Sequence, residues 1–264
     1  MSSFESRFER LELKYLIDEA TAALVCRDIA PFCRPDVHNP APTAGGPRGY
    51  RLSSLYLDSP GLAFYHAKER GDPERLKLRI RTYEGSPQAV VEMKRRVADV
   101  IDKTRASIDR KDVEGVVNGS SPIFHGNHEM ERFLSAFSAT VARTGAQPTL
   151  MVRYEREAWA SFVDHYARIT FDRNIEAHRT ASWGLDEEPE RWWQFDDHWR
   201  REESERSVVL EIKCQSLIPW WVTDLIRSHG LARQSFSKYS IGIYLTGLGL
   251  GEDRVNRRSA RWMQ

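Results

Sequence analysis

The chain has 264 residues, 41% hydrophobic and 29% charged, which is enough apolar mass for a substantial core. Its 39 basic and 38 acidic residues leave a net charge of +1, so bulk charge does not point to nonspecific nucleic-acid binding, and any basic site has to be local. Cys26, Cys33 and Cys214 follow no zinc spacing, and their odd number argues against a secreted disulfide framework. The first residues lack the apolar core of a signal peptide, and no stretch nears the roughly 18 apolar residues of a membrane helix. The expectation is a soluble, cytoplasmic chain without direct membrane insertion, one domain over residues 1–250 followed by a polar, frayed tail at 251–264.

From Phe8 to Leu16, Arg10, Glu12 and Lys14 alternate with Leu11, Leu13 and Tyr15, the period of a strand with one charged face. Asp18 is placed to cap a helix over Glu19 to Ala30, whose apolar Ala22, Ala23, Val25 and Ile29 lie along one side, and Pro31 and Pro35 end it. Residues 36–49, with three prolines and three glycines, read as a loop. Tyr50 to Asp58 is a predicted strand, and Ser59-Pro60-Gly61 turns into a short helix near Leu62 to Glu69. A hairpin follows: Leu76 to Tyr83, a turn at Glu84 to Pro87, and Ala89 to Arg95. Its inward set is Arg79 and Arg81, then Glu92 and Lys94, and a further strand continues the alternation with Lys103, Arg105 and Ser107.

Residues 109–145 read as helical with a Gly/Ser/Pro break at 119–122 and an apolar run through Phe133, Leu134, Phe137 and Val141. Strands resume at Thr149 to Phe162 and Ala167 to Asp172, paired through a turn near Asp164. The segment 181–207 stands apart in composition, with Trp183, Trp192, Trp193 and Trp199 among many charges. It is either an insertion whose tryptophans pack on the outside of the domain or a lid or partner surface. After a strand at Val208 to Cys214, Pro219 and Gly230 frame an amphipathic helix through Trp220, Val222, Leu225 and Ile226. A basic segment around Arg233 and Lys238 follows.

The inward set Lys14, Arg79, Arg81, Lys94, Arg156, Arg168 and Lys213 is supplied by strands and converges if the sheet closes on itself. Cations a few ångströms apart repel by up to about 4 kcal/mol per pair at an effective dielectric near 20, so an anion is expected to offset them. Charge-assisted hydrogen bonds contribute roughly 1.5–3 kcal/mol each, which favours a ligand with several phosphates. Glu211 lies two residues before Lys213 and Glu12 two before Lys14, on the same cationic faces. A carboxylate facing a phosphate needs a hard cation between them, so Glu211, with Glu12, is the candidate ligand for Mg²⁺ or Mn²⁺. For any one such residue the plainer reading is a surface salt bridge; eight strands with the same pattern favour a site. The eight histidines fit no metal spacing, and no glycine-rich phosphate loop is present.

The segments Arg10-Leu-Glu12-Leu-Lys14-Tyr15, Lys77-Leu-Arg79-Ile-Arg81, Glu92-Met-Lys94, Tyr154-Glu-Arg156, Arg168-Ile-Thr-Phe-Asp172, Leu210-Glu211-Ile-Lys213 and Ser235-Phe-Ser237-Lys238-Tyr239 resemble, in order and spacing, the polyphosphate polymerase (VTC) domain of the vacuolar transporter chaperone complex and its bacterial single-domain relatives. That family belongs to the triphosphate tunnel metalloenzymes. The resemblance implies an α+β fold: an antiparallel β-barrel open at both ends as a tunnel, with helices packed outside. It implies that ATP and inorganic polyphosphate or triphosphate bind in the tunnel, and that the ATP γ-phosphate passes to a growing polyphosphate chain with Mn²⁺ or Mg²⁺ as cofactor. Lys14, Arg79, Arg81, Lys94, Arg156, Arg168 and Lys238 then look like catalytic phosphate ligands, with Arg10, Arg105, Lys213 and Ser237 as additions. Tyr154 is a hydrogen-bond donor, and Glu211 is the metal ligand. Related triphosphatases begin Glu-x-Glu-x-Lys; Arg10 in the first position favours the polymerase branch. Hydrolysis of triphosphate and noncatalytic polyphosphate binding remain alternatives, and a membrane-protein partner stays open.

Overall fold

The computed structural model describes residues 10–40, 49–98, 100–120, 128–164, 166–185, 189, 191–195, 208–215 and 217–248. Strands β1 (Arg10–Ile17), β2 (Cys33–Pro35), β3 (Tyr50–Asp58), β4 (Glu74–Tyr83), β5 (Gln88–Val97), β6 (Val100–Asp109), β7 (Gln147–Ser161), β8 (Ala167–Arg179), β9 (Trp193–Gln194) and β10 (Val208–Gln215) form one sheet. Its order is β1-β10-β8-β7-β3-β4-β5-β6, with β2 on β7 and β9 on β8. Helices α1 (Glu19–Ile29), α2 (Ala63–Arg70), α3 (Val113–Val117), α4 (His128–Thr144), α5 (Trp220–Ser228) and α6 (Lys238–Leu245) complete the described elements, with a 3₁₀ turn at Arg110–Asp112. The fold class is the expected one, α+β on an antiparallel sheet. Among the described residues no helix is long and apolar enough to cross a membrane.

By contacts the chain divides into two compact units, residues 1–51, 154–175 and 196–236, and residues 52–153, 176–195 and 237–264. In the first, strand parity turns Leu13 and Tyr15 of β1, Leu210 and Ile212 of β10, and Ile169 and Phe171 of β8 to one face. There they pack against Ala22, Val25 and Ile29 of α1 and Trp221, Val222 and Leu225 of α5. Asp18 caps α1 as its sequence predicts, accepting a hydrogen bond from the Thr21 N–H at 2.6 Å.

The second unit repeats the device. Leu78 and Ile80 of β4, Val91 of β5 and Ile108 of β6 pack beneath Val116 of α3 and Leu134 and Phe137 of α4. The predicted helical stretch at 109–145 is thus the 3₁₀ turn, α3 and α4, with residues 121–127 outside the described ones. Three described elements were not foreseen in the sequence: β2, β9 and α6. The three-residue β2 pairs Cys33 with Ser161 and Pro35 with Trp159, and α6 packs through Gly242, where a Cβ would come within 2.6 Å of Leu150 Cδ2. Helix α2 has no side-chain cap at its own N-cap residue. Instead the fully buried Asp58 accepts from the N–H groups of Phe64 and Tyr65, each at 2.9 Å, and from the Tyr239 hydroxyl at 2.6 Å. Of the tryptophan-rich segment, Trp183 and Trp192 pack against this core, and Arg153 lies 3.9 Å from the Trp192 ring centroid. That is the packing reading for the described part; residues 196–207 and the predicted tail lie outside the described ones.

Ile80 is fully buried between Leu55 and Val91 in the strand register, so Ile80→Ala is expected to cost about 2–5 kcal/mol. Denaturant melts check this, and a neutral result would mean that the apolar face of β4 is assigned to the wrong side.

Candidate functional site

The sheet face opposite α1 and α5 in the first unit, and opposite α3 and α4 in the second, carries charge. In the second unit, register lays Tyr56, Arg79, Glu92 and Arg105 in one row across β3 to β6, and Lys77, Lys94 and Lys103 in the next. Glu92 is only 3% exposed; the Arg79 Nε donates to its carboxylate and the Lys103 Nζ sits 3.0 Å away. Burial alone would raise the Glu92 pKa, but Arg79, with Arg81 and Lys103, overrides it and holds the carboxyl far below its ordinary range. Arg81 donates to the buried Ser54 hydroxyl at 3.3 Å. Lys94 and Arg105 are exposed at their register positions. Ser237 caps α6 by accepting from the Ser240 N–H, which puts Lys238 in the helix's first turn.

Tyr56 is buried within this cationic face. Its ring stacks on Tyr239 at 5.0 Å, with Lys77 Nζ 5.8 Å from the ring centroid. Burial raises its phenol, yet Arg79, Lys77 and Arg81 together bring the pKa down from 10.0 to about 8. The Tyr239 phenol moves the opposite way, raised by burial and by Asp58. Beside Tyr56 a cavity of about 200 Å³ is lined by the apolar Phe64, Leu76 and Ile101 together with the polar Lys68, Lys94 and Ser237.

In the first unit the register sets Glu12 against Lys213 and Lys14 against Glu211, so charges alternate both along and across β1 and β10. Lys14 Nζ is 2.8 Å from Glu12 and donates to the Phe236 carbonyl at 3.1 Å; Lys213 Nζ is 2.5 Å from Glu211. For Glu12, burial and the negative charge of Glu211 raise the pKa, while Lys14 and Lys213 pull it below its ordinary value. The next strand, β8, places Arg168 opposite Lys213 and Thr170 opposite Glu211. Arg168 pairs with Asp36 at 2.9 Å. Arg156 forms a two-pronged pair with the fully buried Asp172 at 2.7 and 2.8 Å, and lies 5.3 Å from the Tyr154 ring centroid. Burial would lower the Arg156 pKa, but Asp172 drives it upward instead. Arg10 pairs through its backbone with Gln215, and its side chain lies outside the described residues.

Each unit therefore gathers its share of the predicted residues: Glu12, Lys14, Tyr154, Arg156, Arg168, Glu211 and Lys213 in one, Arg79, Arg81, Lys94, Arg105, Ser237 and Lys238 in the other. The expectation that the cations need an external anion to offset their repulsion is corrected. Glu12, Asp36, Glu92, Asp172 and Glu211 already neutralise much of it from within the chain. Asp36, Asp172, Tyr56 and Thr170 had no place in the predicted site, and Glu92 was read as inward without a partner.

A model of the VTC domain family matches residues 9–246. The chain belongs to the VTC domain family. None of the curated proteins matches it. Among solved structures it is similar to a proposed adenylyl cyclase from Hippeastrum with a dominant triphosphatase activity, at 14% identity over 90% of this chain and 96% of that one, TM-score 0.46. It is also similar to a proposed adenylate cyclase from Vibrio parahaemolyticus, at 12% identity over 88% and 97%, TM-score 0.44. These likenesses are too distant to bear on what the VTC domain does.

The divalent cation that the family resemblance implies can be tested against the donors present. Among the described residues no three His, Cys, Asp or Glu side chains converge. Glu12 and Glu211 do supply hard carboxylate oxygens on adjacent strands, and Mg²⁺ is commonly held by one or two carboxylates plus substrate phosphates. Beside Glu211 the Thr170 hydroxyl is buried with no hydrogen-bond partner among the described residues, as a site awaiting a polar ligand leaves it. The donor set fits.

Tyr56 makes the cationic face of the second unit sensitive to pH. Below about pH 8 the phenol is neutral and does not draw on Arg79, Lys77 and Arg81; above it the phenolate competes with an incoming anion for them. Binding of tripolyphosphate is therefore expected to weaken as pH rises through 8, and Tyr56→Phe to lose that dependence. Because the folded pKa is depressed, the same ionisation contributes stability at and above the unfolded value near 10, lost as pH falls through 8. Calorimetric titrations from pH 7 to 9.5 on both proteins check this; identical profiles would contradict it.

Proposed function

We propose that this VTC domain is a metal-dependent phosphotransferase that passes the γ-phosphoryl group of ATP to the end of a growing polyphosphate chain within a basic tunnel. The observation that carries the reading is the pairing of two carboxylates, Glu12 and Glu211, with Lys14 and Lys213 in a single alternating lattice, next to Arg168. A lattice of cations alone would serve binding; carboxylates within it serve a bound Mn²⁺ or Mg²⁺, which supplies charge neutralisation at the phosphate oxygens.

Phosphoryl transfer asks the protein for positioning and electrostatics rather than a covalent nucleophile. The incoming chain end is itself an anionic phosphate oxygen, so no general base is required to activate it. Within one unit Lys14, Arg156, Arg168 and Lys213, and within the other Arg79, Arg81, Lys94 and Lys238, would each orient phosphate groups. They would also stabilise charge as it moves to the leaving β-phosphate. Arg79 and Arg156 trade a carboxylate for a phosphate oxygen, which is a smaller net gain than binding by an unpaired guanidinium. A nucleoside triphosphate as donor is favoured over bare triphosphate by the cavity beside Tyr56. Its apolar side chains, Phe64, Leu76 and Ile101, have no use for phosphate, and at about 200 Å³ it falls below the roughly 300–1,000 Å³ of clefts that take drug-sized ligands, so it suits a single flat base.

Incubation of the purified protein with ATP and Mn²⁺, followed by separation of chain-length products from free phosphate, tests the reading. A polyphosphate ladder with ADP is expected; free phosphate alone would make the protein a hydrolase, and no turnover a binding module. Glu211→Gln is expected to cut turnover by at least about 10²-fold while metal-free tripolyphosphate binding persists. Ile101→Ser, at the exposed edge of the cavity, is expected to raise KM for ATP severalfold and leave inhibition by tripolyphosphate unchanged.

A further inference from the structure

Two buried side-chain atoms without a hydrogen-bond partner among the described residues, Arg168 Nε and Thr170 Oγ1, lie two residues apart on one face of β8. Thr170 is 3% exposed. Its register partner on β10 is Glu211, and that of Arg168 is Lys213. A buried hydroxyl that finds no partner normally costs stability, and valine would fill the same volume without that cost, so packing alone gives no reason for the hydroxyl. Glu211 is itself buried, 6% exposed, and its carboxylate is engaged by Lys213 at 2.5 Å. The charged and polar groups around it include Lys213 on its own strand, Lys14 and Glu12 on β1, Thr170 across from it on β8, and Arg156, whose pKa the Glu211 charge helps to raise.

We infer that Thr170 is a positioning residue for Glu211, donating its hydroxyl proton to the Glu211 carboxylate when a divalent cation draws that carboxylate away from Lys213. The inference rests on the reading of Glu211 as a metal ligand. A carboxylate that ligates a metal is usually fixed by a hydrogen bond to its second oxygen, because one bond to the ion leaves the group free to rotate. Lys213 cannot do this once a cation stands beside it, since the two positive charges repel. A neutral hydroxyl can. Thr170 has one donor and two acceptor positions, and its place opposite Glu211 in the ladder brings the donor to the carboxylate from the side away from β1. On this account the hydroxyl is unpartnered because the ion-free chain gives the carboxylate to Lys213.

The test is a titration of the protein with Mn²⁺ alone, followed by the electron paramagnetic resonance signal of free Mn²⁺, on the unaltered chain and on Thr170→Val, Thr170→Ser and Glu211→Gln. Thr170→Val is expected to weaken Mn²⁺ binding by about tenfold, the lower end for loss of a hydrogen bond behind a metal ligand. Thr170→Ser, which keeps the hydroxyl, is expected to restore it. Metal-free tripolyphosphate binding to Thr170→Val, measured by calorimetry, should be unchanged. If Glu211→Gln weakens Mn²⁺ binding and Thr170→Val does not, the role of Thr170 is refuted while Glu211 stands. Should Glu211→Gln bind Mn²⁺ like the unaltered chain, the metal-ligand reading itself fails. Loss of tripolyphosphate affinity in Thr170→Val with Mn²⁺ binding intact would also overturn the inference, making the hydroxyl a phosphate contact.

Discussion

Antiparallel register is the constraint on which the charged faces depend. A strand of period two can put Lys or Glu on one side, but only the register of its neighbour decides whether like or opposite charges meet. Here Glu12 meets Lys213, Lys14 meets Glu211 and Arg79 meets Glu92 across the ladders, while Lys77, Lys94 and Lys103 share one row and Arg168 meets Lys213; within β1 and β10 the ion pairs run along the strand, Lys14 to Glu12 and Lys213 to Glu211. A slip of one residue would set Lys14 against the apolar side of β10 and bury charge in the core beneath α1 and α5. Packing and electrostatics thus enforce the same alignment. Helices α1, α3, α4 and α5 cover the apolar parity, and the opposite parity carries the charge, with Tyr239 of α6 stacked on Tyr56 there.

A lining built this way differs from an array of bare cations. Unpaired Lys and Arg side chains would repel one another and splay; paired with carboxylates they are held in place before any ligand arrives. Glu92 illustrates the arrangement, being buried, ionised and shared by Arg79 and Lys103. A phosphate that enters has to take over partners already in use. That lowers the affinity available from each contact and favours ligands that offer many oxygens at once, since each exchange contributes little and the sum has to be large. Arg156 and the fully buried Asp172 form the most enclosed of these pairs, with two hydrogen bonds and the Tyr154 ring alongside.

Much of this was legible in the sequence because parity is local. Leu76-Lys77-Leu78-Arg79-Ile80-Arg81 announces both faces of β4 without reference to any other strand, and Asp18 announces the start of α1. What escaped depends on contacts between distant segments. Asp172 gives no sign in its own neighbourhood that Arg156 will claim it, and Thr170 is an ordinary strand residue until Glu211 is set opposite it. Helix α6 was hidden because its sequence, Lys-Tyr-Ser-Ile-Gly-Ile-Tyr-Leu, has no polar face and carries a glycine in its interior, a poor helix former kept where Leu150 approaches closely. Strand β2 is too short to show a period at all. Asp58, at the end of a predicted strand, reads as a turn residue, whereas it is the buried acceptor that starts α2 and anchors Tyr239.

The central claim is that the carboxylates in the lining are internal counter-ions which a polyphosphate displaces. Calorimetric measurement of the tripolyphosphate dissociation constant, without metal, for the unaltered chain and for Glu92→Gln over a series of salt concentrations tests it most directly. Neutralising Glu92 leaves Arg79 and Lys103 without their shared partner, so the account predicts severalfold tighter binding at low salt and a steeper loss of affinity as salt is raised. Unchanged or weaker binding by folded Glu92→Gln, with the same salt dependence, would contradict it.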